Sequence, residues 1–99
     1  MKNVIVVCEA GITTSLLVTK LEELAQQENE EYKIQSKNTE EGLDFIKEES
    51  VDAVLLVPQI HQKYAEYNEA ANGKVLKISV IDYNNMNVFS IFEQLNEAL

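Results

Sequence analysis

At 99 residues with 45% hydrophobic content, the chain suits one small domain with a true core and is too apolar for a disordered segment. Eight lysines and no arginine stand against seventeen acids, a net charge of −9, which disfavours nucleic-acid binding and adsorption to an anionic membrane. A single cysteine excludes an internal disulfide framework and a CxxC redox pair, and it fits a reducing compartment.

Val4 to Val7 is a short continuous apolar run, as in a strand covered on both faces, and is too short for a signal peptide or a membrane span. Leu17, Leu21 and Leu24 recur at helical spacing. Tyr32 to Ser36 alternates like a half-exposed strand. Asn38 or Thr39 is suited to cap the next helix, with Leu43 and Ile46 facing inward. Val51 to Val57 is the second continuous apolar run, and Pro58 ends it. Ile60, Tyr64, Tyr67 and Ala71 form a helix stripe that Asn72-Gly73 stops. Val75 to Ile81 is expected as a fourth strand, with Leu76, Ile78 and Val80 on one face. Val88, Ile91, Phe92, Leu95 and Leu99 mark a final helix. The acidic runs, such as Glu22-Glu23 and Glu40-Glu41, read as solvated faces, or else as an acidic surface that steers basic partners. No repeat or linker divides the chain, so one domain over 1–99 is expected.

Alternation of strand and helix implies a parallel sheet with helices on both faces. The first and third strands are apolar throughout and belong in the centre. The second and fourth carry Lys and Ser and belong at the edges. Right-handed crossovers then favour an α/β fold with a four-stranded parallel sheet in the order 2-1-3-4. Ligands of open α/β sheets bind where the chain reverses, at the carboxyl ends of the strands. Cys8 with the residues after it, and Pro58-Gln59, lie there.

Cys8-Glu9-Ala10-Gly11-Ile12-Thr13-Thr14-Ser15 joins the first strand to the first helix. Cys8 sits where the strand ends, so its sulfur is expected to reach solvent. Gly11 lets the chain curl with positive φ. Thr13, Thr14 and Ser15 bring hydroxyls to a helix start, where free N–H groups and the helix dipole favour anions. Such a position also favours the thiolate of a nearby cysteine. A thiolate beside an anion cradle is what forming a cysteinyl phosphate requires. Taken singly, a cysteine there is a small buried hydrophobe, a Thr or Ser an N-cap and Gly11 a turn. Their conjunction at the switch point suggests a phosphate-type site. Cysteine-loop phosphatases clamp the phosphate with an Arg six residues after the Cys. That position is Thr14 here, which argues against efficient hydrolysis even if Asp82 served as general acid.

The stretch Cys8 to Lys20 resembles the phosphorylation loop and first helix of IIB subunits of the bacterial sugar phosphotransferase system, lactose/cellobiose family. Val54 to Ile60, with its Pro-Gln turn, and Val80-Ile81-Asp82-Tyr83 resemble later parts of that family. The resemblance implies a phosphotyrosine-phosphatase-like three-layer α/β/α fold and a cytoplasmic phosphotransferase without cofactor or metal. A IIA phosphohistidine would donate to Cys8, and a β-disaccharide of cellobiose, chitobiose or lactose type would accept at the membrane IIC permease. The segment Glu9, Ala10, Gly11, Ile12, Thr13, Thr14 and Ser15 would cradle the phosphate through backbone N–H groups, with Pro58 and Gln59 secondary. Neither nucleic acid nor membrane insertion is implied, and a monomer with transient partners is expected.

Three residues depart from the family pattern. Glu9 replaces a small residue, and its carboxylate is expected to point outward, since it would oppose a dianionic phosphate. Thr13 and Ile12 replace Ser and Met conservatively. His61 reads as a solvent-facing helix residue, Tyr64 and Tyr67 as packing, and Lys20 as a surface residue. A regulatory IIB-like interaction module, a slow cysteine-dependent phosphatase and a flavodoxin-type mononucleotide binder are the alternatives. A free-standing chain of this length favours the carrier.

Overall fold

The computed structural model describes residues 2–9 and 11–99, with the side chains of 11–13 outside the description. The chain runs β1 (Lys2–Val7), α1 (Gly11–Gln27), β2 (Tyr32–Lys37), α2 (Thr39–Glu48) and β3 (Ala53–Leu56). A 3-10 turn (Pro58–Lys63) leads into α3 (Tyr64–Ala70), followed by β4 (Val75–Lys77), α4 (Val80–Asn84) and α5 (Val88–Ala98). The sheet is parallel, in the order β2-β1-β3-β4. This is the expected order, and its cause is visible in burial. Val4 to Val7 in β1 and all of β3 are buried, whereas β2 and β4 each keep exposed positions.

The crossover β1-α1-β2 runs in one direction along the sheet, and β2-α2-β3 runs in the other. Right-handedness therefore puts α1 and α2 on opposite faces. α5 packs on α1, and α3 packs on α2. Leu17, Leu21, Leu24 and Ala25 of α1 meet one side of the core, with Ile91, Phe92 and Leu95 of α5 behind them. Tyr32 ties the β2 edge to α5, its ring 5.8 Å from Phe92 and its hydroxyl donating to the side-chain carbonyl of Asn96. On the other face, Ile60, Tyr67 and Ala71 are buried as their spacing predicts.

Asn38 caps α2 in a reciprocal box. Its side chain accepts from the Glu41 N–H at 2.8 Å, and the Glu41 carboxylate accepts from the Asn38 N–H at 3.1 Å. Asn72 and Gly73 end α3 with φ of 54° and 83°, where glycine is at ease. One strand is shorter than expected. β4 stops at Lys77, and Ser79 caps a helix instead, its hydroxyl accepting from the Asp82 N–H at 3.1 Å. Ile78 still faces the core and donates its N–H to the Leu56 carbonyl at 2.9 Å, but Val80 and Ile81 point outward. Local capping by Ser79 outweighed the alternating pattern. The third strand is likewise trimmed to Ala53–Leu56, and the third helix begins as a 3-10 turn kinked at Ile60.

Candidate functional site

β1 and β3 pair in register, Val7 opposite Leu56, so the chain segments leaving them emerge together at the carboxyl edge of the sheet. Cys8 follows β1 directly, and its N–H donates to the Lys37 carbonyl at 3.0 Å. This extends the β1–β2 ladder by one step and fixes where the thiol begins. Cys8 is only 5% exposed, so the expectation of a solvent-reaching sulfur is corrected. The residue follows a strand whose last four side chains are all buried, and it continues that burial.

α1 begins at Gly11, three residues beyond Cys8, so the start of a 17-residue helix stands beside the strand end. Its first N–H groups lack partners within the helix, and its dipole presents positive potential there. Thr14 is fully buried in this first turn, and its hydroxyl oxygen has no hydrogen-bond partner among the described residues. A buried hydroxyl without a partner is costly, and it points to a polar group that the site is built to receive. Ser15 is exposed, and its carbonyl accepts from the Thr19 hydroxyl at 3.0 Å. Of the expected cradle, Ala10 lies outside the described residues. So do the Gly11 dihedral that depends on it and the side chains of Ile12 and Thr13.

Glu9 is exposed and turns away from α1. Its carboxylate accepts from the hydroxyl of Thr39, at the start of α2 on the other face of the sheet. Tyr67 of α3 in turn donates its hydroxyl to the Thr39 carbonyl. Burial, and then the Glu66 charge, push the Tyr67 phenol well above its ordinary pKa, so it remains a donor. Sequence reasoning took Tyr67 as packing and gave Thr39 no part beyond a possible cap. The spacing of the helix stripe marks Tyr67 for burial but not its bond to Thr39, because the link spans elements distant in sequence.

Pro58 and Gln59 open the 3-10 turn at the same edge, Pro58 half-buried and Gln59 exposed. His61 in this turn is not solvent-facing as expected. It is half-buried, and its Nε2 is buried without a partner among the described residues. The turn is kinked at the preceding residue, Ile60, whose side chain is buried in the core. Asp82 is not at a strand end but in the first turn of α4. Its carboxylate accepts from the Ser90 hydroxyl at 2.9 Å and the Gln94 amide at 3.3 Å. Those bonds, both to Oδ2, tie the carboxylate to α5. Among the described residues no cluster of three potential metal ligands occurs, and no helix is long and apolar enough to cross a membrane.

The model of the family described as PTS system, Lactose/Cellobiose specific IIB subunit, matches residues 3–94. The chain belongs to that family. A similar relative of the IIB chain is the PTS system oligo-beta-mannoside-specific EIIB component of Bacillus subtilis (strain 168). The two are 38% identical over 84 residues, covering 83% of this chain and 78% of the relative. Among solved structures, the cellobiose-specific IIB component from Borrelia burgdorferi superposes with a TM-score of 0.76 at 28% identity, covering 98% of this chain and 90% of that one. The lactose-specific IIB component domain from Streptococcus pneumoniae shares the fold, with a TM-score of 0.77 at 20% identity over 96% and 91% of the two chains. As a IIB subunit, the chain is a phosphotransferase component of a sugar transport system, a class whose general counterparts are IIA and IIC components.

Proposed function

We propose that this IIB chain is a cytoplasmic phosphocarrier, one domain over 1–99, whose acceptor is Cys8. The Cys8 thiolate attacks the phosphorus of a IIA phosphohistidine. The S–P bond forms as the N–P bond breaks, and the electron pair returns to the imidazole. A sugar hydroxyl at the IIC permease then attacks the same phosphorus. The O–P bond forms, the thiolate leaves, and the hydroxyl proton passes to a base on the acceptor side. The backbone of residues 9–15 cradles the phosphoryl oxygens, with Pro58 and Gln59 at the margin. The carrying observation is the buried Thr14 hydroxyl, without a partner among the described residues, in the first turn of the helix that follows Cys8.

The absence of any arginine supports a carrier over a phosphatase, since a guanidinium clamp is missing from the loop and from the whole chain. A β-linked oligosaccharide is the sugar class we favour, since the relatives are named for oligo-beta-mannoside, cellobiose and lactose. The carrier is expected to act as a monomer with transient partners. The test is intact mass after mixing the protein with phosphoenolpyruvate, the general phosphotransferase proteins and a IIA subunit. One added phosphate, absent in Cys8→Ser, is expected. Phosphate retained by Cys8→Ser would overturn the assignment of the acceptor.

A further inference from the structure

A carboxylate next to a residue that must carry a phosphoryl dianion is electrostatically adverse. Glu9 is that residue, adjacent in sequence to Cys8. A single charge at roughly 6 Å in a water-like dielectric would disfavour the dianion about tenfold and a monoanion about threefold. The chain nonetheless holds this carboxylate in a defined place. Thr39 donates its hydroxyl to it, and Thr39 is itself fixed on two sides. It is the first residue of a helix secured by the Asn38–Glu41 capping box, and its carbonyl accepts from buried Tyr67. The α2 N-terminus, with its positive dipole end, is a favourable site for a carboxylate. It also lies across the sheet from α1, where the phosphate would be cradled.

We propose that Thr39 is a positioning residue that parks the Glu9 carboxylate on the α2 side of the sheet, away from the phosphoryl group on Cys8. Tyr67 supports it by fixing the Thr39 backbone. The proposal rests on the carrier reading and deepens it: the adverse charge is kept out of the site by a hydroxyl on the other face. A purely mechanical tether between loop and helix would make a different prediction. Losing Glu9 would then harm the site as much as losing Thr39.

The experiment alkylates Cys8 in the full chain with iodoacetate, an anion, and iodoacetamide, its neutral counterpart, and takes the ratio of rates. Thr39→Val frees Glu9 and is expected to lower the iodoacetate-to-iodoacetamide ratio, by at most about threefold at low salt, an effect that fades as ionic strength rises. Thr39→Ser, which keeps the hydroxyl, should restore the wild-type ratio. The double variant Thr39→Val with Glu9→Ala should restore it too. An unchanged ratio in Thr39→Val, or a double variant as impaired as the single one, overturns the proposal. Phosphate uptake from the IIA donor is measured alongside, and Thr39→Val should lower the equilibrium phosphorylated fraction. Wild-type protein that takes up no phosphate defeats the carrier reading, while the alkylation ratio still decides where the Glu9 charge sits.

Discussion

Gly42 offers a quantitative check on the packing between α2 and α3. A Cβ built there would overlap the Tyr67 hydroxyl and lie 3.2 Å from both the Cε1 and Cζ carbons of its ring. Alanine favours a helix interior over glycine by about 1 kcal/mol, whereas overpacking a filled site costs roughly 1–3 kcal/mol. Gly42→Ala should therefore lose about 1 kcal/mol net, or about 4–8 °C in Tm for a domain of this size. Tyr67→Phe removes the overlapping oxygen and leaves only the 3.2 Å ring contacts, which relax with a shift of a few tenths of an ångström. In that background the helix preference of alanine offsets the remaining crowding, and the same substitution should be near neutral. The expected coupling between the two sites is thus about 1 kcal/mol. Urea unfolding of the wild type, both single variants and the double variant measures it directly. If Gly42→Ala costs as much beside phenylalanine as beside tyrosine, the hydroxyl is not what excludes a side chain at position 42.

Asn38→Ala should lower stability by about 1 kcal/mol by removing the α2 capping box, readable as a shift in the urea midpoint at constant slope. Burial raises the Tyr67 phenol above its ordinary value, and Glu66 adds to this, so the folded chain holds its proton where the unfolded chain has lost it. Stability should be independent of this group below about pH 10 and decline as the pH rises above that value. Tyr67→Phe should flatten the alkaline decline, and an unchanged slope would refute the assignment. Asp82→Asn should leave the lifetime of phosphorylated Cys8 unaltered, because Ser90 and Gln94 already hold that carboxylate. Faster or slower dephosphorylation by mass spectrometry would restore Asp82 to the chemistry. Ile81 is 71% exposed in the helix that begins just beyond β4 at the carboxyl edge. Ile81→Asp should slow phosphate uptake from the IIA donor while shifting stability by no more than about 0.5 kcal/mol.

The sheet order was legible because apolar content alone distinguishes strands buried on both faces from edge strands. Val4 to Val7 and Val54 to Leu56 have no side chain that tolerates water, and Lys33, Lys37 and Lys77 mark the two edges. The α2 cap and the α3 stop were legible for the same local reason, since Asn38 and Asn72-Gly73 act within a few residues of themselves. The end of β4 was not. Alternation through Leu76, Ile78 and Val80 mimics a strand, and only the Ser79 cap, which competes at short range, converts the segment to helix. The place of Cys8 beside the α1 start followed from the motif and topology together. Its burial did not, because sequence spacing fixes a strand end without fixing how the next residue turns. The Glu9–Thr39–Tyr67 chain lay beyond sequence reading altogether, since it depends on three elements meeting across one face.

The edges of the sheet have a consequence for how densely such a molecule can be stored. An open sheet invites growth by addition of strands from another copy. Here one edge is only three residues long, ending in Lys77, and the other sets Lys33 and Lys37 along its six residues. The outer rows of backbone groups are thus brief on one side and charge-studded on the other, and every copy repels its neighbour through a net charge of −9. Edges this short and this charged should keep concentrated solutions of the chain free of fibres that grow by strand addition.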